Sequence, residues 1–218
     1  REPHDDKRQH RGHAGRREPP QLIEEGDFVA STIPHSNITA TGPMTRGDFL
    51  LMLYWYADTN AVPNVVGIRG LSVLTRLALI LGSEEGLERV IKPFFTFHAA
   101  PNGGVASADV WTELLGLRAY EIVVPLPVDE PMPPEELSER RFMLEKLIPV
   151  HERPLYPMPT QYERDALTNK GTFFAAKRED QMVARQIAVF KTVADLARLP
   201  LAELTARALP YLRVPAAR

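Results

Sequence analysis

The residues near the start of this sequence whose types suit chemistry are cationic. Lys7, Arg8, Arg11, Arg16 and Arg17 have the charge to neutralise phosphates while a pliant backbone follows an irregular nucleic-acid path. Residues 1–20 hold six basic and four acidic side chains, with His4, His10 and His13 and no large aliphatic or aromatic group. Such a stretch buries too little apolar surface to repay the entropy of ordering. It is read as part of a flexible, extended N-terminal arm over residues 1–44. Glu2, Asp5, Asp6 and Glu18 offset much of the charge and no aromatic is interleaved for base stacking, so an ordinary solvated tail is the competing reading. The three histidines lack acidic or cysteine partners at fixed spacing, and no metal site is expected of them.

A second feature is Gly67-Ile68-Arg69-Gly70, which has the outline of the GxxG loop that clamps nucleic-acid backbone in KH domains. Upstream the pattern is helical and downstream no strand is near, so a glycine-bounded loop between helices is the favoured reading. Arg69 is retained as a candidate nucleic-acid contact. Arg46-Gly47-Asp48 and the sequon Asn37-Ile38-Thr39 are treated as incidental, the first because a helix cap already accounts for Asp48.

Catalytic candidates are sparse. With no cysteine, thiolate nucleophiles, disulfides and Cys-ligated metal sites are excluded. His35, His98 and His151 are widely spaced and belong to no Ser-His-Asp, HExxH or phosphate-loop pattern. Glu135, Glu136, Glu139 and Glu145 include enough carboxylates for an acid/base pair, but a solvated acidic helix face is the preferred reading. No catalytic residue, cofactor or metal is therefore assigned. Phe49, Tyr54, Trp55 and Tyr56 form an aromatic cluster suited to an interface with another chain, with core packing as the alternative.

The elements that must position these groups read as mainly helical. Thr45-Arg46-Gly47-Asp48 has capping-box spacing before the apolar run from Phe49, so the first core helix begins there. Leu71, Leu74, Leu77, Ala78 and Leu81 predict a second helix ending at Gly82, and residues 83–93 predict a third. Pro101-Asn102-Gly103-Gly104 is a turn, after which Ser107 or Asp109 caps a helix running toward Gly116. Residues 120–126 are the one short strand expected, an edge strand because Pro125 lacks a donor. Pro133-Pro134-Glu135-Glu136 opens a helix through Ile148, and four prolines between 149 and 159 make a stiff connector. Beyond it, Val183, Ile187, Phe190, Ala194 and Ala197 mark the clearest helix, and another follows Pro200.

The fold class expected is thus a mainly α, multi-helix domain over residues 45–218 behind a disordered arm, with 45–128 and 135–218 as an alternative subdivision. Net charge of -2 points to no global attraction to nucleic acid or membrane, and the longest apolar stretch, Phe49 to Ala57, is far short of the ~20 residues that span a bilayer. The functional expectation is a non-enzymatic structural or assembly protein of coat or nucleocapsid type, self-associating through helices and arms and touching nucleic acid through the basic arm. An adaptor or accessory subunit of a larger complex is the alternative, and an enzyme without a local signature the third. A cytoplasmic setting or a virus-like assembly is favoured over secretion. The chain begins at Arg1 with no signal-peptide pattern, which leaves its native termini open.

Overall fold

The computed structural model describes residues 42–59, 67–83 and 94–212, together with Ile38. These residues all fall within one compact unit, 32–218, and are mainly helical with a few short strands. The arm through residue 37 and the expected third helix beyond Ser83 lie outside the described residues.

Helix α1 (Arg46–Thr59) starts where the capping box demands: the Thr45 amide donates to Asp48 Oδ2 at 2.9 Å and the Asp48 amide to Thr45 Oγ1 at 3.1 Å. Its apolar side chains point in every direction and are buried, Leu50 through Leu53 completely. Helix α2 (Gly70–Gly82) is buried from Gly70 to Leu81. These two helices form the centre of the molecule.

The segment before α2 differs from the sequence expectation. Ile68–Arg69 is not a loop but a short strand, β1, paired antiparallel with β5 (Glu163–Leu167). On the far side of β5 lies β4 (Val123–Pro127), giving the order β1-β5-β4 with β4 at the edge, where Pro125 was expected. The turn at residues 101–104 closes a small hairpin of β2 (His98–Ala99) and β3 (Val105–Ala106).

Helix α3 (Ala108–Ala119) is capped by the Ser107 hydroxyl, which accepts from the Val110 amide at 3.3 Å. It runs past Gly116, a buried position, and ends where Glu121 takes a left-handed φ of 56°. Helix α4 (Pro134–Phe142) continues into a π-turn over Met143–Leu147, with Ile148 N–H reaching Met143 C=O at 2.9 Å. The connector from 149 to 159 contains a 3₁₀ turn, Arg153–Leu155, and divides nothing: α2 packs against the last helix, α8 (Leu201–Ala208), from beyond it.

After α5 (Asn169–Glu179), the expected single helix from 183 to 197 is two, α6 (Ala184–Phe190) and α7 (Val193–Ala197). Thr192 causes the break. Its amide and its hydroxyl both bond Val189 C=O, at 3.1 and 2.7 Å, and tighten the turn. Of the expected period, Phe190 and Ala194 are buried and Ile187 and Ala197 half-buried, whereas Val183 is exposed ahead of α6. Phe190 stacks on Tyr56 with centroids 5.8 Å apart and meets Phe49 at 5.6 Å.

Candidate functional site

Two polar arrangements stand out, one sealed and one open. The sealed one arises because α2, otherwise apolar or small, carries Arg76, whose guanidinium is fully buried. A buried cation must be paired. Glu139 of α4 meets it with Oε1 at 2.6 Å from Nη2 and Oε2 at 3.1 Å from Nη1, a bidentate pair. Arg76 Nη1 also donates to Ser72 C=O at 2.8 Å and Nε to Thr205 Oγ1 of α8 at 2.6 Å, while the Ser72 hydroxyl donates to Glu139 Oε2 at 2.5 Å. One guanidinium thereby fastens three helices. Gly104 is obligatory beside it, since a Cβ there would lie 1.9 Å from Glu139 Oε1.

One turn earlier on α4, Glu136 Oε1 accepts from the Leu71 amide at 3.0 Å, placing a carboxylate on the N-terminus of α2. The same oxygen accepts from Arg140 Nη2 at 2.7 Å, and that guanidinium lies 5.1 Å from the Trp111 ring centre. Gly70 at φ +68° permits this approach, because its Cβ would stand 2.0 Å from Glu136 Oε2. The acidic helix is therefore not the solvated face expected from sequence. Glu136 and Glu139 are both buried, whereas Glu135 and Glu145 are exposed.

Two further pairs, one buried and one partly buried, follow the same logic. Arg118 of α3 grips Asp165 of β5 at 2.7 and 2.9 Å and Glu163 at 2.8 Å. Burial opposes the Arg118 charge, but these two carboxylates outweigh it and hold its pKa above the ordinary value. Arg178 of α5 lies 3.7 Å from Asp48 and donates to Gly42 C=O at 2.8 Å. Neighbouring groups feel the same enclosure: burial, reinforced by Asp165, raises the Tyr54 phenol, and burial raises Asp58 although the Gly67 amide donates to it at 2.6 Å.

The open arrangement is a groove of about 780 Å³ between the end of β4, the turn that follows it and residues 159–162. Pro127, Asp129, Glu130, Met132, Thr160 and Tyr162 are among its lining. Glu130 is paired with Arg69 Nη1 at 3.1 and 3.3 Å. Asp129 is exposed, with no ion pair among the described residues. Burial, then the charge of Glu136, pushes the Tyr162 phenol up to about 12, which keeps it a neutral ring and hydroxyl.

The edge strand feeding this groove has an unusual hydrogen-bond inventory. Thr168 N–H bonds Ile122 C=O and Val128 N–H bonds Tyr162 C=O, so in this register even-numbered residues of β4 face β5. Residues 123, 125 and 127 direct their backbone outward, and two of these are proline. Beyond Val123 the free edge therefore presents carbonyls and no N–H. That closes the edge to ordinary strand addition.

Sequence-assigned residues fall unevenly on this map. Lys7, Arg8, Arg11, Arg16 and Arg17 lie outside the described residues, as does His35. Arg69 is exposed on β1 and held by Glu130 at the groove. Phe49, Tyr54 and Tyr56 face this chain's own core instead of a surface, because α1 is enclosed on all sides; Trp55 is half-buried. Tyr56 also donates its hydroxyl to Glu179 of α5. His98 is half-buried on β2, and His151 is exposed 3.5 Å from Glu152. Among the described residues no group of three or more metal-ligating side chains converges, and no helix is long and apolar enough to cross a membrane. No family model, curated protein or solved structure matches the chain.

Proposed function

We propose that the chain is a non-enzymatic assembly subunit of coat or nucleocapsid type, in which a helical body carries an arm that contacts nucleic acid through Lys7, Arg8, Arg11, Arg16 and Arg17. The observation that carries this reading is the segregation of charge. Residues 1–20 hold six basic and four acidic side chains, and the remaining residues twenty basic and twenty-four acidic. Within the body, Arg76, Arg118, Arg140 and Arg178 are spent on internal carboxylates, and Arg69 is engaged by Glu130. Five of the twenty later cations are thus engaged within the body, whereas residues 7–17 carry five cations with no acid among them. The buried acids suit positioning over proton transfer, since Glu136, Glu139 and Asp165 are sealed from solvent beside their own guanidinium.

The test is the absolute mass of the purified protein by light scattering at two salt concentrations, with the 260/280 nm ratio of the same peak. Large particles that carry nucleic acid and dissociate in salt support the reading. If the five arm cations each contact one phosphate, the slope of log K against log[salt] is about -3.5 for single strands and about -4.5 for B-form DNA. Neutralising those five residues should flatten that slope without changing the melting temperature. A salt-insensitive monomer free of nucleic acid overturns the proposal.

A further inference from the structure

The groove beside β4 asks for a particular kind of occupant. Its charged groups are the Asp129 and Glu130 carboxylates, with Thr160, Gln161 and Tyr162 as the other polar lining. A ligand complementary to two carboxylates brings positive charge and N–H donors, which describes guanidinium and ammonium side chains. Glu130 already receives one guanidinium, from Arg69, through a single nitrogen. Met132, Tyr162 and Pro127 supply apolar surface for the aliphatic stems of such side chains.

This chain contains one segment with that chemistry. Residues 7–17 carry five cations and no acid, and the residues between them include Gly12, Ala14 and Gly15, small enough to lie close against a wall. Twenty residues separate Arg17 from Ile38, a span of at most about 66 to 72 Å when extended, long enough to cross a subunit boundary. We infer that the groove between β4 and residues 159–162 receives the basic stretch at residues 7–17 of a neighbouring copy, with Asp129 and Glu130 taking its guanidinium and ammonium groups. The inference rests on the assembly reading above and names the surface that an arm would engage. In such an assembly the same cations serve two acceptors, the groove and phosphate, and occupancy of one competes with the other.

The absence of cysteine permits a specific test in the full chain. Thr160, exposed at the groove, is replaced as Thr160→Cys and labelled with a benzophenone maleimide. Nitrogen-15 and unlabelled preparations are mixed, irradiated and digested, and cross-linked peptides are identified by mass. The expected products join position 160 to residues 7–17 as mixed-isotope pairs. Asp129→Asn with Glu130→Gln in the same chain should lower their yield about fivefold, the upper end for one exposed ion pair, at an unchanged melting temperature. Pairs confined to one isotope, or a yield indifferent to the two substitutions, overturn the inference. If particles with nucleic acid form yet no cross-link reaches residues 7–17, the inference fails while the assembly reading stands. Mixed-isotope cross-links without bound nucleic acid uphold the inference and remove the nucleic-acid role.

Discussion

Replacing Glu139 by Gln tests whether the ion pair with Arg76 is what makes α2 tolerable as a buried helix. Both side chains are essentially inaccessible, at 1% and 2% exposure, and Glu139 supplies both oxygens to the guanidinium. Gln keeps the volume and one acceptor but removes the charge and turns an NH₂ toward a cation. Breaking one partner of a buried pair costs about 3 to 5 kcal/mol, because the survivor is left charged in a dry site. For a domain of this length that corresponds to a fall of about 6 to 20 °C in melting temperature. The measurement is urea unfolding followed by circular dichroism, with calorimetry as a second probe. A double variant, Arg76→Met with Glu139→Leu, supplies the decisive comparison. It removes both charges and their desolvation, so it should be far less destabilised than Glu139→Gln, and buried pairs replaced by apolar residues have been neutral to stabilising by about 1 to 4 kcal/mol. Thr205 still has Leu201 C=O as a partner at 2.7 Å after Arg76 is gone. A loss below about 1 kcal/mol for Glu139→Gln, within the range of an exposed pair, would refute the argument. So would a double variant as unstable as the single one.

Phe190→Ala should cost about 3 to 5 kcal/mol in the same unfolding experiment, since the ring is fully buried between Phe49 and Tyr56; a near-neutral result would mean that the aromatic cluster is not closed. Alkaline pH should destabilise the fold through its phenols. Burial raises the pKa of Tyr54, Tyr56, Tyr156 and Tyr162, so the folded state holds protons that the unfolded chain releases near pH 10, and stability present below that value falls as pH rises from about 10 through the raised values. Absorbance at 295 nm should show at least these four of the six tyrosines ionising late, or only on unfolding, and four normal titrations would contradict the burial. Asp58→Asn should reduce a smaller effect of the same sign at acid pH. Its carboxyl, raised by burial, loses stability as pH climbs from about 3.9 through its folded value, and the amide variant should show a shallower fall across that window in urea titrations, the remainder coming from Asp165, which burial raises as well.

Where local chemistry decides an element, the sequence is a good guide. The α1 cap is two reciprocal hydrogen bonds four residues wide, and the α2 period is carried by its own leucines. The strand at 123–127 declared itself through β-branched residues, and its edge position through Pro125. Its partner did not, because Glu-Arg-Asp is an improbable start for a central strand and its charges become acceptable only when Arg118 arrives from α3. The acidic helix misleads for the same reason. Glu136, Glu139 and Arg140 at spacings of three and four form a buried polar stripe that composition alone assigns to water. One signal was present: a lone arginine inside the apolar period of α2 requires an acid from elsewhere, and a helix with paired glutamates three residues apart was the nearest supply. The break at Thr192 is likewise invisible to periodicity, since Phe190 before it and Ala194 after it both stay buried.

The internal pairs also bear on how the surface is used. Each buried arginine neutralised within the fold is removed from the set that interacts with other molecules, and each carboxylate so used is removed with it. Arg76 with Glu139, Arg140 with Glu136 and Arg178 with Asp48 cancel one for one, whereas Arg118 takes up both Asp165 and Glu163. These pairs remove more acid than base, yet the part of the chain after residue 20 retains its acidic excess, now narrowed and displaced to exposed positions such as Asp129, Glu130, Glu135 and Glu145. Two of those four stand at one groove, beside an edge whose prolines offer only carbonyls. Fold stability and surface chemistry are thereby coupled: the ion pairs that allow α2 and β5 to be buried take four cations and five carboxylates out of the set that meets other molecules.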